Sequence, residues 1–243
     1  MKISEKINLD RPGLEKYGPI TIVAFGDSVT HGAVAQDEIN YETVYWNRLK
    51  QMINAKRSYM PVNVINAGIG GINAHDSLPL MEDRVLKHEP DLVIVCFGLN
   101  DVNGELDVYI NSLREIFSRL KERNIDTIFM TPNMLNTYSA DDTFHIYKEY
   151  SYKTAEMQNS GRMDLYMENA VKLAEEMGIT VCDCYAKWKK ISETEDTTML
   201  LANRINHPTK EMHKLFAESL FEIIFPEEAE LTSQNSSTMF NDR

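Results

Sequence analysis

The sequence lacks any apolar run near the roughly 20 residues that a membrane-spanning helix needs. Its first ten residues, MKISEKINLD, lack the apolar core of a secretory signal peptide. Cys96, Cys182 and Cys184 are too few and too unevenly spaced to suggest a disulfide framework or a CxxC site. These absences predict a cytoplasmic protein whose cysteines are reduced and structural.

Positive charge is also scarce, because 25 lysine and arginine residues stand against 37 aspartate and glutamate residues. The resulting formal net charge of -12 opposes binding to nucleic-acid backbones and to anionic lipid. Hydrophobic residues make up 43% and charged residues 26% of the 243 residues, which is ordinary for a globular domain. We therefore expect a conventional domain that binds neither nucleic acid nor membrane.

Short β-rich runs alternate with stretches of helical period, the pattern typical of a parallel sheet covered by helices. The predicted strands are mostly continuous apolar runs, as strands buried on both faces should be, at 20–25, 62–66, 92–97, 127–130 and 179–182. Apolar stripes at one-face helical spacing predict core helices around Leu49, Leu113, Leu173 and Leu220. The pattern places an α/β domain at 20–225, between an N-terminal extension at 1–19 and an acidic, polar tail at 226–243 that should be disordered.

The stretch 133–161 is too long for a plain connection in a compact domain. It carries five aromatic residues: Tyr138, Phe144, Tyr147, Tyr150 and Tyr152. A lid or substrate wall is one interpretation. An extended crossover helix whose aromatic side chains only pack is the other, and the sequence does not choose between them.

Small and polar residues follow the first three predicted strands. Because ligands bind outside the carboxyl ends of the strands in an open α/β sheet, these loops point to one crevice. They are Gly26-Asp27-Ser28, then Gly68 to Gly71, then Gly98 to Asp101. A serine on such a turn can present its hydroxyl to a substrate and its N–H to a developing oxyanion. Asp and Ser also commonly do no more than cap a helix, so the first loop alone does not indicate catalysis.

Spacing argues against two other kinds of site. Thr30 stands where a G-x-S-x-G elbow would have its second glycine. Residues 66–71, with the sequence NAGIGG, lack the G-x-G-x-x-G spacing of a dinucleotide loop. The loop after the first strand is also short of the Ser, Thr and Gly residues with which flavin and nucleotide binders cradle phosphate.

Six histidines could supply a general base. His207 stands out because it precedes a proline in a polar loop that follows the last strand and leads into the final helix. His31 and His75 lie in loops close to the serine and to the glycine-rich turn. Together with Asp27 and Asn73, they are candidates for lining the pocket.

Four ordered blocks of the sequence resemble the signature blocks of GDSL/SGNH hydrolases: Gly26-Asp27-Ser28-Val29, Asn66-x-Gly-x-Gly-Gly71, Gly98-Leu99-Asn100-Asp101 and His207-Pro208. The resemblance implies a flavodoxin-like three-layer α/β/α fold with about five parallel strands. It also implies a serine esterase for esters or thioesters that needs no cofactor or metal. Carried over residue by residue, it makes Ser28 the nucleophile and first oxyanion donor, Gly71 and Asn100 the other donors, and His207 the general base.

The sequence departs from the family pattern at two positions. Val29 replaces the usual leucine, which is a modest apolar exchange. Arg204 stands where family members usually carry an aspartate, and loss of the equivalent carboxylate in a serine protease costs about four orders of magnitude in turnover. The imidazole could instead be held by the side-chain oxygen of Asn203, which we favour, by a backbone carbonyl, or by Asp183 or Asp196.

The sequence thus predicts a serine esterase for short acyl esters. Acylated sugars are weakly favoured over lipids, because the composition is acidic and the stretch 133–161 combines polar and aromatic residues. The alternative is a non-catalytic or weakly active binding protein for a carbohydrate or acyl ligand on the same fold.

Overall fold

A single parallel sheet organises the computed structural model, which describes residues 1–35 and 38–226. Within that part of the chain the strand order is β2-β1-β3-β4-β5, with β1 (Ile20–Gly26), β2 (Val62–Asn66), β3 (Leu92–Cys96), β4 (Asp126–Met130) and β5 (Thr180–Cys182). Every strand ends within one residue of its predicted position. The order is that of a flavodoxin-like sheet, so the predicted fold class is confirmed.

Helices cover both faces of the sheet: α1 (Ile3–Lys6), α2 (Arg11–Tyr17), α3 (Ser28–His31), α4 (Tyr45–Ala55), α5 (Ala74–Ser77), α6 (Met81–Arg84), α7 (Leu106–Glu122), α8 (Lys148–Asn159), α9 (Arg162–Glu176), α10 (Cys184–Ile191) and α11 (His213–Ile224). Helix α4 packs on α11, and α7 packs on α9. Of the helices that the structure describes, none combines the length and the apolar character needed to cross a bilayer.

The core lies between these helices and the central strands. Strand β3 is buried at every position, as a parallel strand covered on both faces must be. Edge-to-face ring pairs fill the space around it, with centroid distances of 5.1 Å for Phe25 and Phe97 and 5.7 Å for Phe117 and Phe129. This packing fixes the ends of β1 and β3, from which the site loops emerge.

The N-terminal extension predicted at 1–19 contains two helices that pack on the domain. Lys6 Nζ lies 2.7 Å from Asp91 Oδ2, and both side chains are less than a tenth exposed. The same oxygen accepts the Thr21 N–H at 2.8 Å, and Lys2 pairs with Asp126 at 2.7 Å. These contacts fasten the extension to the amino ends of the strands, opposite the loops described next. The predicted tail lies, beyond Pro226, outside the described residues.

Candidate active site

Ser28 and His207 meet above the carboxyl end of β1. Ser28 is the first residue of α3, and the Asp27 carboxylate caps this helix by accepting the Val29 N–H at 2.9 Å. His207 lies in the loop between α10 and α11, and its Nε2 is 2.9 Å from Ser28 Oγ. This is the distance at which an imidazole can take the proton of an attacking hydroxyl.

Two further loops bring hydrogen-bond donors to the same place. Gly71 has a φ of +76°, a conformation that residues other than glycine rarely adopt, and this explains the glycine there. Asn100 follows β3, and its Nδ2 donates to the Ile72 carbonyl at 2.9 Å. The second N–H of that amide makes no hydrogen bond with the described residues. Asn100 is therefore held in place with one donor available to a ligand.

One cavity of about 870 Å³ is lined by Ser28, Gly71, Asn100 and His207. Its wall also includes His31, Asn203 and the side chains Asp142, Phe144, Tyr147, Tyr150 and Asn206. The structure therefore brings together Ser28, Gly71, Asn100 and His207, as predicted. The described residues contain no cluster of three or more His, Cys, Asp or Glu side chains that could hold a metal ion.

Three predicted pocket residues do not line this cavity, and the structure corrects their role. Asp27 is fully buried beneath it as the cap of α3. Asn73 caps α5 by accepting the Asp76 N–H at 2.8 Å. His75 is exposed, with its Nδ1 3.5 Å from the Ser112 hydroxyl. The sequence predicts each of them near the pocket from its loop alone. The direction of each side chain keeps it out of the cavity.

The ring of His207 is held by a backbone carbonyl. Its Nδ1 lies 3.2 Å from the oxygen of Val34. The loop of Val34 is itself fixed, because the Ala33 N–H donates to the Ser28 carbonyl at 2.9 Å and the Val34 N–H to the Glu38 carbonyl at 2.9 Å. With Nδ1–H donated to Val34, Nε2 carries the lone pair that faces Ser28.

The favoured hypothesis that Asn203 orients the imidazole is wrong. The Asn203 side-chain oxygen accepts the backbone N–H groups of Ile205, Asn206 and His207 at 3.0, 3.0 and 2.9 Å. These donors lie two to four residues ahead, so the short side chain reaches them before it could reach the ring. Asn203 therefore shapes the loop of His207 through its main chain.

Neither alternative carboxylate touches His207. Asp183 accepts from the Thr131 hydroxyl at 2.8 Å and caps α10 through the Ala186 N–H. Asp196 accepts from the Tyr138 hydroxyl at 2.7 Å. The acceptor is thus the backbone carbonyl, the second of the three possibilities that the sequence left open.

Burial controls the basicity of His207. It lowers the pKa of the imidazole to about 4, while the hydrogen bond to the Val34 carbonyl acts weakly in the opposite direction. No carboxylate contributes to this shift. The neutral ring, the form that can accept a proton from Ser28, therefore persists to lower pH than in an unperturbed histidine with a pKa of about 6.5.

The pH profile should show this directly. Because protonation of His207 removes the base, we expect the acidic limb of kcat/KM well below pH 6.5, toward the pKa of about 4. The limb is measured with a short p-nitrophenyl ester, with circular dichroism at each pH to confirm that the protein stays folded. Asp183→Ala and Asp196→Ala should leave the limb unmoved, and a shift in either variant would mean that a carboxylate supports the ring.

Two buried acids lie below the site. Burial raises the pKa of Asp27 to about 7 and that of Asp101 to about 6. Asp101 accepts the Ala74 N–H at 2.8 Å and so ties α5 to the loop of Asn100. In each acid the second carboxylate oxygen has no hydrogen-bond partner among the described residues. Sequence reasoning placed Asp101 in a motif and gave it no role.

The stretch 133–161 is both a crossover with its own helix and a wall of the cavity. It contains helix α8, and it also forms one wall of the cavity through Phe144, Tyr147 and Tyr150. Tyr138 and Tyr152 do not line the cavity. The sequence identified the stretch, but it could not say which rings face the site.

Comparison with protein families gives a match over most of the chain. Residues 24–215 match the GDSL-like Lipase/Acylhydrolase family. The chain is 24% identical over 215 residues to an acetylxylan esterase of Geobacillus stearothermophilus, which covers 82% of this chain and 90% of that protein. It is 26% identical over 159 residues to the uncharacterized lipoprotein YqeF of Bacillus subtilis, covering 61% of this chain and 62% of that protein.

Solved structures share the fold. Axe2, an acetylxylan esterase from Geobacillus stearothermophilus, superposes with a TM-score of 0.67 at 22% identity and covers 85% of this chain and 94% of its own. The acetyl xylan esterase AlAXEase gives 0.66 at 23% identity, with 85% and 100% covered. Catalytic mutants of Axe2 replace a serine, a histidine and an aspartate, and the aspartate lies three positions before the histidine. In this chain Arg204 stands three positions before His207.

Proposed function

Because the chain belongs to the GDSL-like lipase/acylhydrolase family, we propose that it is a carboxylic ester hydrolase that removes acetyl groups from carbohydrates through an acyl-enzyme. The observation that carries this proposal is the 2.9 Å contact between Ser28 Oγ and His207 Nε2 in a cavity shared with Gly71 and Asn100. A nucleophile, its base and candidate oxyanion donors on one wall are what acyl transfer requires.

The reaction follows from these positions. Ser28 Oγ attacks the acyl carbonyl carbon as its proton passes to His207 Nε2. The Ser28 N–H, the Gly71 N–H and the Asn100 amide stabilise the tetrahedral oxyanion. His207 then gives its proton to the departing alcohol oxygen, which leaves an acetyl ester on Ser28. A water that loses its proton to His207 attacks this ester, and collapse of the second intermediate releases acetate and restores the Ser28 hydroxyl.

The cavity favours a carbohydrate as the alcohol part. Its volume of about 870 Å³ is of the size that holds a drug-sized ligand, far beyond an acetyl group. Aromatic side chains and amides line it together, a mixture that suits a ring with both C–H faces and hydroxyl groups. The relatives and neighbours named as acetylxylan esterases support the same substrate class. A binding protein is disfavoured, since the dyad is assembled at reacting distance.

Active-site labelling tests the proposal. A fluorophosphonate probe should add once per chain, on the peptide that contains Ser28, and heat-denatured protein should not react. The same preparation should release acetate from an acetylated xylo-oligosaccharide. If the folded protein takes up no probe and releases no acetate, the binding-protein alternative is right.

A further inference from the structure

Two aromatic rings stand exposed at the rim of the cavity. Phe144 and Tyr147 are 43% and 42% exposed, and their ring centroids lie 6.3 Å apart with the planes tilted by 49°. Both line the same cavity as Ser28 and His207. Ile146, between them in the chain, is 58% exposed and does not line it. We call this pair of exposed rings the platform.

A carboxylate lies beside this platform and is held by an arginine. Asp142 also lines the cavity, and its oxygens accept from Arg204 Nε at 3.1 and 3.0 Å and from a terminal guanidinium nitrogen at 2.9 Å. The Asp142 side chain is 58% exposed, so it can accept further hydrogen bonds. The Arg204 guanidinium lowers the pKa of Asp142, which keeps the carboxylate charged.

Arg204 joins the platform to the loop of the catalytic base. Its other terminal nitrogen donates to the carbonyls of Met199 and Leu201 at 3.1 and 2.7 Å. Leu201 forms a β-bridge with Pro208, the residue after His207. Arg204 adopts a φ of +59°, which is uncommon outside glycine. Its planar fork of donors lets one side chain tie Asp142 to the chain segment that precedes His207.

Resting on the esterase function above, we propose that Asp142, Phe144 and Tyr147 form the subsite for the sugar ring on the alcohol side of the substrate, and that Arg204 positions this subsite over Ser28 and His207. A pyranose ring stacks its C–H face on an aromatic ring, and its hydroxyl groups donate to a carboxylate. The place of the missing aspartate is then used for substrate binding, while Val34 holds the imidazole.

The exposed carboxylate of Asp142 favours a sugar over an alkyl chain. Asp142 lines the same cavity as the two rings, and its side chain is 58% exposed. An alkyl chain would strip water from this carboxylate without replacing its hydrogen bonds, which costs free energy. Sugar hydroxyl groups would replace them.

Binding in the Ser28→Ala background tests the platform without turnover. The affinity of an acetylated xylo-oligosaccharide, measured by calorimetry, should fall about tenfold when Phe144→Ala or Tyr147→Ala is added, equivalent to about 1.4 kcal/mol. Tyr152→Ala, an exposed ring of α8 outside the cavity, is the matched control and should bind as tightly as the parent. Unchanged affinity in both platform variants, or an equal fall in the control, would overturn the proposal.

Kinetics separate the positioning role of Arg204 from a general structural one. Asp142→Ala should raise KM for the acetylated xylo-oligosaccharide several-fold more than it raises KM for p-nitrophenyl acetate, whose alcohol part carries no sugar hydroxyl groups. Arg204→Met should show the same preference between the two substrates. Adding Asp142→Ala to it should raise KM for the acetylated xylo-oligosaccharide no further, because both changes remove the contact between Asp142 and Arg204. Equal losses on both substrates would contradict a subsite. If the parent protein hydrolyses neither ester, the proposed esterase function fails, and the binding experiment still decides the sugar subsite.

Discussion

Ser28→Ala should lower kcat for p-nitrophenyl acetate by about four orders of magnitude or more and abolish labelling by a fluorophosphonate. Without the hydroxyl no acyl-enzyme can form, and the remaining oxyanion donors can only assist attack by water. The measurement is initial velocity at saturating substrate, with intact mass to detect the adduct. Substantial activity in the variant would remove Ser28 from the mechanism and with it the proposed function.

Ser28→Ala should lower activity without lowering the thermal stability of the protein. The Ser28 hydroxyl has one hydrogen-bond partner among the described residues, His207 Nε2. The cap of α3 is provided by the Asp27 carboxylate, which alanine at position 28 leaves in place. We therefore expect an unchanged Tm. Ser160→Ala, which alters an exposed serine at the end of α8, is the control and should change neither Tm nor kcat.

The sequence predicted the sheet and the meeting of the Ser28 and His207 loops for the same physical reason, while the roles of the two residues came from the family resemblance. Parallel strands that are buried on both faces consist of continuous apolar residues, and their carboxyl ends must share one edge of the sheet. Loops that follow these runs are therefore close in space although they are distant in sequence. Ser28 and His207 lie 179 positions apart, yet the topology places them at hydrogen-bond distance. The cytoplasmic location and the absence of nucleic-acid or membrane partners stay predictions.

The sequence could not predict which group holds the His207 ring. A backbone carbonyl is present at every residue, so the role of Val34 leaves no signal in the residue type. Asn203 was the plausible side chain, but its oxygen is saturated by three local N–H groups. The sequence showed correctly that Arg204 replaces the usual carboxylate. It could not show the contact between Arg204 and Asp142, because that contact depends on how a loop 62 positions earlier folds.

A neutral acceptor changes what the dyad can do. The Val34 carbonyl fixes the tautomer and orientation of His207 as a carboxylate would, but it offers no full charge to the imidazolium that forms during attack. Burial adds to this, because it disfavours the charged ring. The dyad should therefore be a weaker base than an aspartate-supported one and rely more on oxyanion stabilisation.

Asn100→Ala should consequently lower kcat by about a hundred- to a thousandfold with KM nearly unchanged, because the amide acts mainly on the charge that develops in the transition state. The lost hydrogen bond to the Ile72 carbonyl should cost only about 1 kcal/mol of stability, measured by denaturant unfolding. Asn169→Ala, at a partly buried position on α9 where the side chain donates to the Leu165 carbonyl at 2.8 Å, is the matched control and should leave kcat unchanged. Asn100→Asp is the sharper variant, since a carboxylate of similar shape repels the oxyanion and should reduce kcat further. If Asn100→Ala instead raises KM and leaves kcat intact, the amide binds the ground-state substrate, and the oxyanion hole must be built from Ser28 and Gly71 without it.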